Sequence, residues 1–104
     1  MPRSGCNFTD QAEADIEAIG EYIAEDNKPR AFSFVREIRE RCEKIARMPE
    51  AVPVVLEQDD VAIRRIVFGR YLIFYTLENS TVTVLRVLHG ARDLDAIWPD
   101  ARRS

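Results

Sequence analysis

The 104-residue sequence is long enough for one folded domain with a single hydrophobic core. Apolar residues make up 46% of it and charged residues 32%, an ordinary globular mixture. No apolar run approaches the roughly 18–20 residues that cross a bilayer, and the N-terminus lacks a secretory apolar segment, so we expect a cytoplasmic protein without a membrane partner. The net charge of −3 disfavours strong direct binding to nucleic acid, although it is compatible with a local basic patch.

The sequence contains two cysteines, Cys6 and Cys42, and one histidine, His89. The cysteines are too far apart for a CxxC pair, and one histidine does not complete an ordinary structural zinc site with them. We therefore expect two reduced thiols, with Cys42 in the core, and neither a metal ion nor another cofactor.

A short strand and an acidic helix are predicted at the beginning of the chain. Asn7 to Thr9 form the candidate strand, and Asp10 with Glu13 has the spacing of a helix capping box. Apolar residues then recur at helical spacing over about residues 10–26. These residues are Ala12, Ile16, Ile19 and Ile23. All seven charged side chains in this span are acidic.

A basic helix is predicted next, with Asn27 as its N-cap, Pro29 in its first turn and Pro49 at its end. Its apolar stripe consists of Ala31, Phe34, Val35, Ile38, Cys42, Ile45 and Ala46. Two oppositely charged helices joined by a tight turn predict an antiparallel hairpin. The charge contrast fits either a solvated hairpin or a basic helix face that docks an acidic partner segment.

The second half of the sequence predicts a sheet. Residues 50–60 are expected to be a connector, and three strands follow at Val61–Phe68, Tyr71–Leu77 and Thr81–Leu88. The turns between them are short enough for hairpins, which predicts an antiparallel meander with the second of these strands in a central, covered position. Leu94, Ile97 and Trp98 have helical spacing and predict a short terminal helical segment.

Two stretches near the C-terminus, YLIFY at 71–75 and VLRVLHGARD at 84–93, resemble the ParE branch of the RelE/ParE toxin superfamily. Two helix motifs precede them in family order, Ala-x-x-Asp-Ile-x-x-Ile and Ile-x-x-x-Cys-x-x-Ile-Ala. The resemblance spans most of the chain. It implies a single ParE-like α+β domain over residues 1–104, in which an N-terminal helical hairpin packs on a small antiparallel sheet in the order β-α-α-β-β-β, with the short helical segment at the end.

The same resemblance implies the toxic component of a type II toxin–antitoxin system. Such a protein is not an enzyme; it poisons DNA gyrase while the DNA is cleaved, and a ParD-type antitoxin holds it inactive in a hetero-oligomer. One alternative is a ribosome-dependent mRNA endonuclease of the RelE type, with His89 transferring a proton. Arg64, Arg65 or Arg86 would then stabilise the phosphorane. A third is an inactive interaction module with the same scaffold.

Two residues argue against the nuclease. Gly90 follows His89, where some nuclease relatives have a tyrosine, and Tyr75 is the last tyrosine of the sequence. The acidic balance of the chain also suits a polyanionic ribosome poorly. The gyrase poison is therefore the favoured interpretation.

We expect two interaction surfaces. The target-binding surface is predicted to contain Arg70, Arg86, His89, Arg92 and Trp98. The antitoxin-binding surface is predicted to contain Arg36, Arg39, Arg64 and Arg65. There an antitoxin helix would lie in a groove between the helical hairpin and the sheet, with its acidic side chains against these arginines.

Several of these residues also have a structural interpretation. His89 can end a strand while Gly90 supplies the positive φ of a sharp turn. Arg86 lies either on an exposed sheet face or in a buried position with a carboxylate partner. Trp98 either folds back onto the sheet or anchors an interface. The aromatic residues are more often core than binding platform; they are Phe68, Tyr71, Phe74 and Tyr75.

Overall fold

The computed structural model describes residues 5–90, apart from the side chain of Gln58. Its elements in chain order are β1 (Cys6–Phe8), α1 (Asp10–Ala24), α2 (Lys28–Ile45), a 3₁₀ turn (Pro49–Ala51), β2 (Val54–Gln58), β3 (Val61–Phe68), β4 (Tyr71–Glu78) and β5 (Thr81–His89). The α+β class and the helical hairpin are confirmed, and the sheet has one strand more than predicted. The predicted C-terminal helical segment lies outside the described residues.

Helix α1 is capped by Thr9 rather than by Asp10. The Thr9 Oγ1 atom accepts a hydrogen bond from the Ala12 N–H at 3.0 Å. The same hydroxyl donates to the Leu85 carbonyl at 3.0 Å, and the Thr9 N–H donates to the Val84 carbonyl. Both residues are good N-caps in isolation, so the contacts with β5 decide between them.

Helix α2 begins as predicted. The Asn27 side chain accepts a hydrogen bond from the Arg30 N–H at 3.0 Å, and Pro29 lies in the first turn, where its missing N–H costs nothing. The helix ends at Ile45, and Pro49 begins the 3₁₀ turn instead of ending the helix directly.

The five strands form one sheet in the order β1-β5-β4-β3-β2. Strands β2 to β5 are an antiparallel meander, while β1 pairs with β5 in parallel. The predicted central position of β4 is confirmed. Strand β2 was missed in the predicted connector because it is short and bulged. The signal for it was Asp59-Asp60, which adopts positive φ at both positions, as Asn79-Ser80 does between β4 and β5.

The main core lies between the helices and one face of the sheet. Its largest buried side chains are Tyr75, Phe34, Ile38 and Ile73. A smaller cluster around Phe74, Ile63 and Leu88 is also buried. The expectation that Phe74 and Tyr75 are core residues is confirmed. Within residues 5–90 no helix is long and apolar enough to span a membrane.

Candidate interaction surface

An apolar groove of about 420 Å³ runs between α1 and α2. It is lined by Ile16, Glu17, Gly20, Glu21, Ala24, Lys28, Ala31, Phe32 and Val35. The helices approach closely at Gly20, where a Cβ atom would lie 3.6 Å from Val35 Cγ2. Phe32 stands at this groove with 78% of its surface exposed, an unusual position for a large apolar side chain. The groove can accept apolar side chains of a partner.

The groove carries charges of both signs. Glu17 and Glu21 belong to α1, whose ionisable side chains are all acidic, and Lys28 belongs to the first turn of α2. Arg36 is exposed one helical turn after Phe32, so the two side chains are neighbours on the surface of α2. A segment that fills this groove therefore meets carboxylates on one side and cations on the other.

The structure does not bring the four predicted antitoxin-binding arginines into one patch. Arg39 pairs with Glu13 of α1 at 2.7 Å, and Arg64 donates a hydrogen bond to the Val52 carbonyl. Arg65 follows Arg64 in β3, so its side chain points to the opposite face of the sheet. None of the four lines the groove between the helices. The space between the hairpin and the sheet, where a groove was predicted, is filled by the main core.

The structure describes three of the five predicted target-binding residues, Arg70, Arg86 and His89. Arg92 and Trp98 lie outside the described residues. Arg70 is exposed in the turn between β3 and β4, and His89 ends β5 opposite Tyr71. Gly90 has φ +25°, and a Cβ atom there would lie 3.3 Å from the Arg70 carbonyl oxygen. The structure thus brings Arg70 close to the end of β5, and the positive φ expected of Gly90 is confirmed.

The ring of His89 belongs to an aromatic cluster. It meets the Tyr71 ring edge-on at a centroid distance of 5.4 Å, and Tyr71 meets Phe34 of α2 at 5.1 Å. Phe34 also contacts Phe68 at 5.9 Å. This packing gives His89 a structural role at the end of the strand, whatever else it contacts.

Arg86 has the carboxylate partner that its position predicted. Its Nε and Nη2 atoms donate to the two carboxylate oxygens of Asp15 at 2.8 and 2.9 Å, a bidentate pair. Asp15 also accepts the Val87 N–H at 3.0 Å. The side chains are only 19% and 12% exposed. Asp15 was missed as a partner; the available signal was an acid beside the apolar stripe of α1.

This contact lies at a β-bulge. Phe74 pairs with Arg86 and Tyr75 pairs with Val84, so Leu85 has no counterpart on β4. A bulge interrupts the ladder and leaves backbone groups to be satisfied elsewhere. Thr9 donates to the Leu85 carbonyl and Asp15 accepts from Val87, so α1 and its cap supply the missing partners.

Tyr75 links the central strand to the end of the helical hairpin. Its hydroxyl donates to the Pro49 carbonyl at 2.8 Å. Burial raises the pKa of Tyr75 because the phenolate would lose hydration, and the nearby Arg64 guanidinium offsets part of that increase. The neutral hydroxyl is therefore the form that the fold stabilises.

A second open groove of about 370 Å³ lies on the sheet, lined by Asp59, Val61, Ile63, Thr76, Glu78, Thr83 and Leu85. Its charged side chains are acidic. Across residues 5–90, no group of three or more histidine, cysteine or carboxylate side chains is placed to hold a metal ion.

The described residues thus form a helical hairpin on a five-stranded sheet, with an exposed groove on the hairpin. The chain matches the family model for the ParE toxin of the type II system parDE over residues 6–94. It therefore belongs to the ParE toxin family.

A solved structure titled "Chromosomal ParDE TA system from P. aeruginosa" has the same fold. The TM-score is 0.67 at 17% sequence identity, over 83% of this chain and 95% of that one. No curated protein sequence matches this chain significantly.

Proposed function

We propose that the protein poisons DNA gyrase in the cytoplasm, without catalysing a reaction itself, and that a ParD-type antitoxin neutralises it in a hetero-oligomer. The family match over residues 6–94 carries this proposal. The packing of His89 against Tyr71 and the bidentate pairing of Arg86 with Asp15 support a structural rather than a proton-transferring arrangement at the end of β5.

We place the antitoxin in the groove between α1 and α2. An amphipathic antitoxin helix would seat apolar side chains on Ile16, Ala31 and Phe32, as in other helix-in-groove complexes. An acidic side chain of that helix would meet Arg36 or Lys28, and a basic one would meet Glu17 or Glu21. This position replaces the predicted groove between the hairpin and the sheet. Of the four predicted arginines it keeps only Arg36, which lies outside the groove lining, beside Phe32.

The antitoxin site can be tested with Phe32→Asp. A central exposed aromatic residue is a typical hot spot, and its replacement by a charge should weaken antitoxin binding by about tenfold or more. Met48→Asp is the matched control, because Met48 is also highly exposed, at 70%, and does not line the groove. Equal affinities of the two folded variants in a titration would exclude this groove as the site.

The toxic activity is tested with purified protein, gyrase and supercoiled plasmid. Accumulation of cleaved plasmid, suppressed by the antitoxin, is the expected result. Cleavage of messenger RNA in a parallel assay with ribosomes would instead establish the nuclease. Normal growth on expression, with no effect in either assay, would indicate an inactive module.

For the target surface we propose Arg70 and the end of β5, together with the predicted residues Arg92 and Trp98. Arg70→Ala should reduce plasmid cleavage while leaving the fold intact, since Arg70 is exposed in a turn. Arg47→Ala is a suitable control, because Arg47 is also an exposed arginine but follows the C-terminal end of α2. Full activity of the folded Arg70→Ala variant would remove this turn from the target surface.

A further inference from the structure

The two cysteines of the chain, distant in sequence, lie together in the fold. Cys6 is half-buried in β1, at the edge of the sheet, and Cys42 is buried in α2 with 1% of its surface exposed. Cys6 packs against the core cluster that contains Cys42. Phe8, two residues after Cys6 on the same side of β1, stacks on Arg39, one helical turn before Cys42, so this side of β1 faces the Cys42 segment of α2. The expected burial of Cys42 is confirmed, and the thiols form a pair that the sequence did not suggest.

The surroundings differentiate the two thiols. Hydrogen bonding of the Cys6 thiolate with the neighbouring Cys42 thiol lowers the pKa of Cys6, with a smaller contribution from the Arg39 guanidinium, against burial and Glu43. The same hydrogen bond and burial raise the pKa of Cys42, although Arg39 and Arg41 act in the other direction. Cys6 is thus the thiol that is both accessible and more easily ionised.

Arg39 is held in position beside this pair. It lies one helical turn before Cys42, its guanidinium stacks 5.0 Å from the centroid of the Phe8 ring, and Glu13 binds it at 2.7 Å. These contacts fix the cation between α1, α2 and β1. A fixed cation stabilises a nearby thiolate, the reactive form of cysteine.

We propose that Cys6 and Cys42 form a peroxide-reactive dithiol, in which Cys6 is oxidised first and Cys42 closes an intramolecular disulfide between β1 and α2. This site is independent of the antitoxin and target surfaces. Disulfides in reducing compartments are usually transient and redox-sensing, which suits a pair that is reduced in the resting protein.

The chemistry balances with hydrogen peroxide as the oxidant. The Cys6 thiolate attacks one peroxide oxygen, the O–O bond breaks, and Cys6 becomes a sulfenic acid while hydroxide leaves and takes up a proton as water. The Cys42 sulfur, losing its proton, then attacks the Cys6 sulfur. The S–O bond breaks, a second water forms, and the sulfurs close to about 2 Å. Two thiols and one peroxide give one disulfide and two waters.

Native protein treated with hydrogen peroxide provides the decisive measurement. Both free thiols should disappear, the monomer should lose two hydrogens in mass, and tryptic digestion should yield a disulfide linking the Cys6 and Cys42 peptides, reversed by dithiothreitol. Two intact thiols, at peroxide concentrations that oxidise free glutathione, would overturn the proposal. So would oxidation of Cys6 that yields only disulfides between chains.

Variants separate the role of Cys6, which is oxidised first, from that of Cys42, which closes the disulfide. With Cys42→Ala, Cys6 should stop at the sulfenic acid and react with dimedone; with Cys6→Ser, Cys42 should remain reduced. Arg39→Gln should move the alkylation of Cys6 to higher pH, and Arg39→Lys should restore it. Arg47→Gln, an exposed arginine that follows α2, is the control and should leave the alkylation profile of Cys6 unchanged. An unchanged pH profile in Arg39→Gln would remove Arg39 from the site.

Discussion

Within residues 5–90, two arginine–carboxylate pairs join α1 to the rest of the fold, and they differ in burial and in their contacts with the backbone. Asp15–Arg86 is largely buried, bidentate and coupled to the backbone of a β-bulge. Glu13–Arg39 is also bidentate in geometry, but its side chains are 48% and 43% exposed. The shortest N···O distances are similar, 2.8 Å in the first pair and 2.7 Å in the second. Water competes with the second pair much more than with the first, so we expect the two pairs to contribute different free energies.

The largest expected effect comes from removing Asp15. Asp15→Ala leaves the Arg86 guanidinium largely buried without its carboxylate and the Val87 N–H without its acceptor, which should lower the free energy of unfolding by about 3–5 kcal/mol. Urea denaturation measures this change. Glu17→Ala, at an exposed position two residues further along α1, should stay within about 0.5 kcal/mol. Similar losses of unfolding free energy in both variants would show that the Asp15–Arg86 pair contributes no more to stability than an exposed carboxylate does.

Double-mutant cycles compare the pairs directly. The coupling free energy between Asp15 and Arg86 should be about 2 kcal/mol, within the range of contacting networks, because each side chain depends on the other for its charge compensation. The coupling between Glu13 and Arg39 should be below about 1 kcal/mol. Equal couplings would mean that burial does not distinguish the two pairs.

The hydrogen bond between Tyr75 and Pro49 is an uncharged contact with which the two ion pairs can be compared. Tyr75→Phe removes the hydrogen bond to Pro49 and should cost about 1 kcal/mol, less than Asp15→Ala and more than changes in the surface pair. Urea denaturation measures both variants. If Tyr75→Phe lost more unfolding free energy than Asp15→Ala, the neutral hydrogen bond would contribute more to stability than the buried ion pair, which would contradict this order.

The same residue predicts a pH dependence. Because the pKa of Tyr75 is raised in the folded protein, its contribution is fully present below the unfolded value of about 10 and is lost as pH rises through the folded value. The stability difference between wild type and Tyr75→Phe should therefore shrink above about pH 10. Urea denaturation between about pH 8 and 12, a range that brackets the ordinary tyrosine pKa, provides the measurement. A stability difference that stays constant over this range would contradict the prediction.

The smallest effect belongs to the surface pair. Glu13→Gln should change the free energy of unfolding by less than about 0.5 kcal/mol, and added salt should reduce even that difference because exposed charges are screened. Unfolding measured at low and high salt provides the check. A large salt-independent loss would mean that this pair behaves like the internal one.

Local patterns predicted most of the fold. Asn27 and Pro29 marked the beginning of α2, the apolar run Tyr71–Leu77 indicated the central strand, and the terminal motifs indicated the family, which the match over residues 6–94 shows. Strand β2 was missed, since five residues with a bulge give too short a pattern. The choice of Thr9 over Asp10 as the cap could not be predicted because it depends on a carbonyl 76 positions away.

The candidate sites were less predictable than the fold. Four arginines looked like one antitoxin surface, yet Arg64 and Arg65 point to opposite faces of the sheet, and Arg39 pairs with α1. The groove that contains Phe32 could not be found from the sequence, because its two walls come from different helices. Only the arrangement of the helices decides which exposed apolar residues share a surface.

By itself, the sequence determined the two helices, the β3–β5 meander and the family, because short-range periodicity, caps and turns are properties of neighbouring residues. The tertiary structure decided the partner of Arg86, which lies 71 positions away, the packing of Cys6 against the cluster that contains Cys42, and the position of the groove. Each of these joins residues that are close only after the chain has packed. Burial, which sets their energies, likewise exists only in the folded molecule.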